Sequence, residues 1–281
     1  MKKNKYSSIN LLLIVSSLFA VSCQNDDTLE NEPQNNVQNF ESYHYIYMHY
    51  PNGVLPSSNT NGIVRIEYDN QNRPTKRIGG LAALSGSTGF SYMFSNMYAE
   101  EITYGNNEIS LFIKSTNPTN YPDRLKTVFK TENGKIVKKI NVDVNYPQTN
   151  DTISYFYNND RIVRSLRRRN SPLYETKYHY NSIGNIDSIV TRPFLYNDVT
   201  HNWAINETVK YRTVQAFKDY DSSPNPTKKL MIFDEIFNRT LSENNYKTYE
   251  SKTYDFNGSI LEFSTRNWTF NYINDQINFG N

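Results

Sequence analysis

This sequence predicts an all-β protein, an antiparallel meander of repeated hairpins forming a single open or curved sheet with at most one short helix. Three observations carry the prediction. The chain holds 23 Tyr and 15 Phe against 2 Trp in 281 residues, and aromatic and β-branched residues suit a pleated, half-buried surface. Its apolar residues fall in short runs that alternate with polar ones, the period of a strand. Tight-turn dipeptides then punctuate those runs at a regular spacing.

The turns set the units. Asn106-Asn107, Asn133-Gly134, Asn159-Asp160, Ile183-Gly184 and Asn257-Gly258 are each followed two places later by an isoleucine: Ile109, Ile136, Ile162, Ile186 and Ile260. An aromatic precedes each turn, namely Tyr104, Phe129, Tyr157, Tyr180 and Phe256. A step of roughly 25 residues accommodates two strands, a tight turn and a connector, so each unit reads as one hairpin. Asn and Gly recur because two-residue hairpin turns need positive φ.

Within the units the faces follow from parity. From Lys135 to Val144, Ile136, Ile140, Val142 and Val144 are expected to share one face. In the run Glu41 to Tyr50, Tyr43, Tyr45, Tyr47 and His49 share a face, and the other face is nearly as apolar, so a strand covered on both sides is expected. The one helix candidate is Lys229 to Leu241, where Leu230, Phe233, Ile236 and Phe237 recur at steps of three and four. A covering loop is the competing reading of that segment.

The N-terminus addresses the protein. Lys2, Lys3 and Lys5 precede a mostly apolar stretch, Ile9 to Val21, which reads as a secretory signal too short to span a bilayer comfortably. The single Cys of the chain, Cys23, follows in Phe19-Ala20-Val21-Ser22-Cys23. This resembles a bacterial lipobox, which implies cleavage before a lipid-modified Cys23, with Ala20 standing where Leu is commonest. The next residues, polar but for Leu29 and Val37, cannot bury enough surface to order themselves and read as a tether. Asp26 and Asp27 beside the Cys resemble the surface-export signal of Bacteroidota lipoproteins. The expected organisation is therefore a signal peptide at 1–22, an acidic tether at 23–40 and a hairpin-repeat domain at 41–281.

Charge and composition exclude several functions. Residues 1–22 carry three of the 30 Lys+Arg and none of the 28 acids, so the mature chain is close to neutral and has no global field to draw in nucleic acid. One Cys excludes internal disulfides and Cys-clustered metal sites. Four scattered His, with no GxSxG, HExxH, P-loop or GxGxxG pattern, leave no catalytic or metal constellation and no expected cofactor. Glu100 and Glu101 are strand neighbours and point to opposite faces, and Asp219 with Asp221 reads as a solvated turn.

YDNQNRPTKRI from Tyr68, YFYNNDRIVRSL from Tyr155, YHYNSIGNIDSIV from Tyr178 and YDFNGSILEF from Tyr254 resemble Tyr-Asp repeats of the Rhs type. The later run with Asp221, Asn225, Pro226, Asn244 and Asn245 resembles uncharacterised Bacteroidota lipoproteins bearing such a β-meander. The resemblance spans residues 60 to 275 and implies a surface-anchored β-protein; it brings no catalytic residues. Most copies depart from the strict Tyr-Asp and Gly-Asn dipeptides, so a toxin-encasing shell is not implied.

Two further features are candidates for binding. Arg161, Arg164, Arg167, Arg168 and Arg169 form the densest charge cluster, and strand parity puts Arg161, Arg167 and Arg169 together, a pattern suited to an anionic glycan or a phosphate, or to a solvated strand whose arginines cover the sheet and shield its edge. The Gly- and Ser-rich stretch 79–89 leads into Tyr92 and Phe94, which are expected to offer stacking surfaces beside a mobile loop or else to plug one end of the sheet. The expected function is a non-enzymatic binding or adhesion module held to the outer membrane by lipid, facing outward, with a glycan or protein ligand. The alternatives are a structural accessory of an uptake or secretion complex and an envelope-glycan hydrolase.

Overall fold

The computed structural model describes residues 39–48, 62–83, 92–115, 123–143, 147–206, 208–273 and 276–278, all within one unit, Val37–Asn281. Cys23, Asp26, Asp27, the signal segment, His49 and Val144 lie outside the described residues.

Fourteen strands form one antiparallel sheet in near-sequence order. They are β1 (Ser42–His44), β2 (Ile63–Tyr68), β3 (Pro74–Ala83), β4 (Tyr92–Gly105), β5 (Glu108–Ser115), β6 (Arg124–Glu132) and β7 (Lys135–Asn141), then β8 (Asp151–Asn158), β9 (Arg161–Arg168), β10 (Pro172–Tyr180), β11 (Ile186–Pro193), β14 (Arg212–Tyr220), β15 (Tyr246–Tyr254) and β16 (Ile260–Asn267). The small hairpins β12 (Leu195–Asn197) with β13 (Asn202–Ala204), and β17 (Asn271–Ile273) with β18 (Gln276–Asn278), stand apart from it. The sheet is open, with β1 and β16 as its edges. Among the described residues α-helix amounts to two four-residue turns, α1 (Tyr45–Met48) and α2 (Phe237–Thr240).

One face carries the core. Val64, Ile66, Ile102, Leu111, Phe129, Tyr155, Ile162 and Ile189 are buried there beneath a lobe, residues 222–245, inserted between β14 and β15. The other face is solvated, as an antiparallel sheet allows. Ion pairs such as Lys130–Glu108, Arg164–Glu175 and Lys218–Glu250 lie across it.

The repeat has a physical cause. In β8–β9 the last tyrosine of the first strand opposes the isoleucine of the second, Tyr157 against Ile162, and a one-residue bulge follows at Val163. The same register recurs with Tyr68 against Pro74, Tyr180 against Ile186 and Tyr254 against Ile260, with bulges at Thr75, Asp187 and Leu261. A bulge removes a residue from the ladder and bends the strand, and the carbonyl just before it accepts a phenol from the next unit. Tyr157 donates to the Ile136 carbonyl (2.8 Å), Tyr180 to Ile162 (2.9 Å), Tyr104 to Pro74 (2.8 Å) and Tyr220 to Ile186. These four bonds stitch their hairpins to the ones before them. Burial pushes the Tyr104 and Tyr157 phenols up to about 12, so these donors keep their protons.

Three turns share one geometry. Asp69, Asn181 and Asp255 each accept, through Oδ1, the N–H groups two and four residues on, and the residue three on takes positive φ: Asn72 at 56°, Gly184 at 101°, Gly258 at 89°. This is why an Asx residue follows the tyrosine. Asn257-Gly258 is thus the end of a longer Asx turn, while Asn133-Gly134, with φ of 50° and 74°, is a two-residue turn with both positions positive. Phe129 and Phe256 are not equivalent to the repeat tyrosines: Thr131 opposes Ile136, and Phe256 lies exposed in its turn.

Bulges also revise the expected faces. The bulge at Val137 lets Ile136 and Lys139 share the core face and sends Ile140 to the other, so the row Ile136, Ile140, Val142 does not exist. Residues 41–50 do not form one strand. Only Ser42–His44 is extended, and the α1 turn places Tyr45 and Met48 in the core beside Tyr43. Lys229 to Leu241 is not one helix either: a 3₁₀ turn at Lys228–Leu230, further turns and α2 bury Leu230, Phe233 and Ile236, because contact with the sheet rather than helical periodicity fixes that chain.

Candidate functional site

The lobe continues the repeat. Tyr220-Asp221 opens an Asx turn in which Asp221 Oδ1 accepts the Ser223 amide (3.2 Å), but it is Asn245, 24 positions on, that closes it onto the same oxygen (3.0 Å). Buried Asn225 holds the neck, donating to the Arg239 and Ser242 carbonyls (2.6 and 2.9 Å) and accepting from the Thr227 amide and hydroxyl. Asn244 takes Asn185 of the preceding hairpin in a reciprocal pair. The run of Asp221, Asn225, Asn244 and Asn245 in the sequence is therefore a structural clasp. A buried amide that spends donors and acceptor on backbone groups leaves no polar atom orphaned.

Charge fixes the lobe to the sheet. Glu235 accepts from Arg77 and from the Tyr43 hydroxyl (2.5 Å), and Asp234 pairs with Lys139. Arg77 and Lys139 are 3% and 4% exposed, and Glu100, paired with Lys126, is 3% exposed. Burial raises the Glu235 carboxyl, yet the Arg77 guanidinium and then the Tyr43 hydroxyl hold it below the usual carboxylate range. For Tyr43, burial keeps the phenol well above its ordinary value. Glu100 and Glu101 point to opposite faces as expected, and Glu100 is a buried counter-ion.

Between lobe and sheet lies a groove of about 260 Å³. Tyr155, Tyr174 and Tyr178 line it together with Ile153, Ile189 and Phe237, and Arg167, Thr176, Gln215, Asp234 and Asn238 supply polar groups. Neighbouring contacts hold the walls. Ser165 and the Tyr178 hydroxyl are 3.1 Å apart, as are the Thr176 and Thr191 hydroxyls, and Gln215 donates to the Tyr249 hydroxyl (2.8 Å). Burial lifts the Tyr178 phenol to about 12. Arg167 grips Asp151 in a two-pronged pair (2.7–3.0 Å). Asp151 in turn lines a second depression of about 350 Å³ with Arg124, Lys126, Asn141 and Arg169. Flat rings beside fixed, planar hydrogen-bonding groups suit the apolar faces and hydroxyl rims of sugars. Asp234 on the groove wall and Asp151 behind Arg167 are both tied in ion pairs.

The structure separates the sequence candidates. Arg167 lines the groove and Arg169 the second depression, where its Nε donates to the Thr149 carbonyl (3.1 Å). Arg161 sits at the turn end of β9, before the bulge at Val163, with its guanidinium 5.7 Å from the Tyr180 ring and away from both depressions, so the three arginines do not line one site. Phe94 is a core residue, 9% exposed, seated so close over Gly62 and Gly79 that a Cβ on either would strike its ring. Tyr92 opens β4, and its side chain lies outside the described residues. Sequence reasoning misses Tyr174, Asp234 and Asn238, because only the folded lobe brings Asp234 and Asn238 over strands that lie far earlier in the chain. Among the described residues no three His, Cys, Asp or Glu converge to hold a metal, and no helix is long and apolar enough to cross a membrane.

No family model matches the chain, and no curated protein matches it. Among solved structures it is similar to a porin-like protein from Bacteroides uniformis, with 8% identity, TM-score 0.42, 77% of this chain and 86% of that one covered. A porin-like protein from Bacteroides vulgatus gives 13% identity, TM-score 0.44, and 78% and 86% coverage. TcdB2-TccC3 gives 13% identity and TM-score 0.19, covering 75% of this chain and 12% of that one. Likenesses this loose assign neither activity nor ligand.

Proposed function

We infer that the protein is a lipid-anchored, outward-facing binding module of the outer membrane that takes a short glycan segment in the groove between lobe and sheet. The observation that carries the ligand class is the tyrosine-lined groove itself, in which Tyr155, Tyr174 and Tyr178 meet Arg167, Asp234 and Asn238. Support for the location comes from the sequence alone: the apolar signal, Cys23 at its end, and Asp26 and Asp27 behind it. Non-enzymatic action fits a site whose carboxylates are engaged as counter-ions.

A glycan array probed with the protein tests the ligand. Binding that is lost in Tyr174→Ala and in Arg167→Ala supports the reading; a glycan bound equally by wild type and both variants is held elsewhere, and hydrolysis of a bound glycan would replace binding with catalysis. For the location, Cys23→Ala should abolish lipid labelling, and Asp26→Ala with Asp27→Ala should keep the label while protecting the domain from protease added to intact cells. Wild-type protein already protected in such cells would place it on the periplasmic side.

A further inference from the structure

The two edges of the sheet are built differently. β1 has three residues and ends in the α1 turn, a short edge that offers little backbone to another chain. β16 has eight residues, contains no Pro or Lys, and among the described residues pairs only with β15. Ile260, Leu261 and Phe263 are 53%, 59% and 56% exposed there. A long apolar edge with unused backbone N–H and C=O groups is a template for another strand.

The sequence of β16 selects which strand. We propose that β16 pairs antiparallel with β16 of a second copy of this chain, about a two-fold axis through Ser264, to form a dimer with one continuous sheet. An axis perpendicular to the sheet keeps the two lobe-bearing faces on the same side, so residues directly opposite one another share parity. Few registers meet that condition. Centring on Glu262 or on Arg266 sets like charges opposite each other, which is destabilising. Centring on Phe263 or Thr265 puts Ser264 opposite a charge. The register centred on Ser264 places Glu262 opposite Arg266 of the second copy, twice by symmetry, and Phe263 opposite Thr265, an aromatic against a β-branched residue. The strand is self-complementary in the sequence of its charges, with the Arg266 guanidinium also 5.5 Å from the Trp268 ring within its own chain.

Sedimentation velocity of the full chain in non-ionic detergent tests the dimer. Wild type should sediment as a dimer. Glu262→Arg and Arg266→Glu should each shift it to monomer by weakening association about tenfold or more, since each reversal sets two like-charge pairs across the axis. The double variant Glu262→Arg with Arg266→Glu should recover the dimer, which assigns the single-variant losses to like charges across the axis, and circular dichroism of the single variants should stay of strand type. A monomeric wild type, a dimer indifferent to both single reversals, or a double variant that keeps its strand-type circular dichroism but stays monomeric would each overturn the proposal.

Discussion

Hairpins β8–β9 and β15–β16 carry the same local pattern and put it to opposite use. In the first, Tyr157 opposes Ile162, both face the lobe, Ile162 is 2% exposed and the phenol reaches the preceding unit. In the second, Tyr254 opposes Ile260 in the same register with the same bulge, yet Tyr249 and Ser251 take the core face and leave Tyr254 and Ile260 on the other. Ile260 is 53% exposed, and the Tyr254 ring lies beneath the Arg212 guanidinium (4.5 Å). The repeat motif therefore dictates the turn, the register and the bulge, and leaves the choice of face to the rest of the strand. A side-chain period of two makes that choice all-or-none.

The largest contrast should come from charge. Glu235→Ala strands Arg77 in the core and should destabilise the protein by about 3–5 kcal/mol, whereas Glu262→Ala, on the exposed hairpin, should stay within about 0.5 kcal/mol in folding. Urea midpoints compare them directly; equal shifts would mean that the lobe is not held by that pair. Next, Ile162→Ala should cost about 2–5 kcal/mol and Ile260→Ala less than about 0.5 kcal/mol. Similar losses at both sites would erase the inward-outward distinction.

Smaller effects sharpen the role of the stitching tyrosines. Tyr157→Phe removes the bond to the Ile136 carbonyl and should cost about 1 kcal/mol, while Tyr254→Phe should be close to neutral. The same phenols give a pH dependence. With Tyr104 and Tyr157 lifted to about 12 in the fold, the unfolded chain releases those protons first as pH passes 10. Their contribution is whole below pH 10 and declines between about 10 and 12, so the urea midpoint should fall across that window and fall less steeply in Tyr157→Phe. A midpoint flat to pH 12 would mean that the phenols are not buried donors.

The all-β class, the hairpin unit and most turns were legible because each is local: an Asx or Asn-Gly turn and an alternating strand are written within a dozen residues. Bulges were not legible, since one extra residue leaves no compositional mark, and the one at Val137 inverted the parity used to assign a face to Ile140. The apolar spacing of 229–241 read as a helix candidate because it records which residues are buried, not which backbone buries them. The groove escaped for a different reason. Arg167 stood out as part of a charge cluster, but its neighbours Asp234 and Asn238 arrive from the lobe, and Lys139 was hidden in an ordinary basic run until its pairing with Asp234 showed a buried ammonium.

A ligand seated between lobe and sheet should mark both walls in hydrogen exchange on the full chain, measured with and without the tightest glycan from the array. Protection should grow in 151–155, 165–167, 174–178 and 234–238, the segments that line the groove, and stay unchanged in β16. Protection confined to β16, or to strands on the solvated face, would contradict the account.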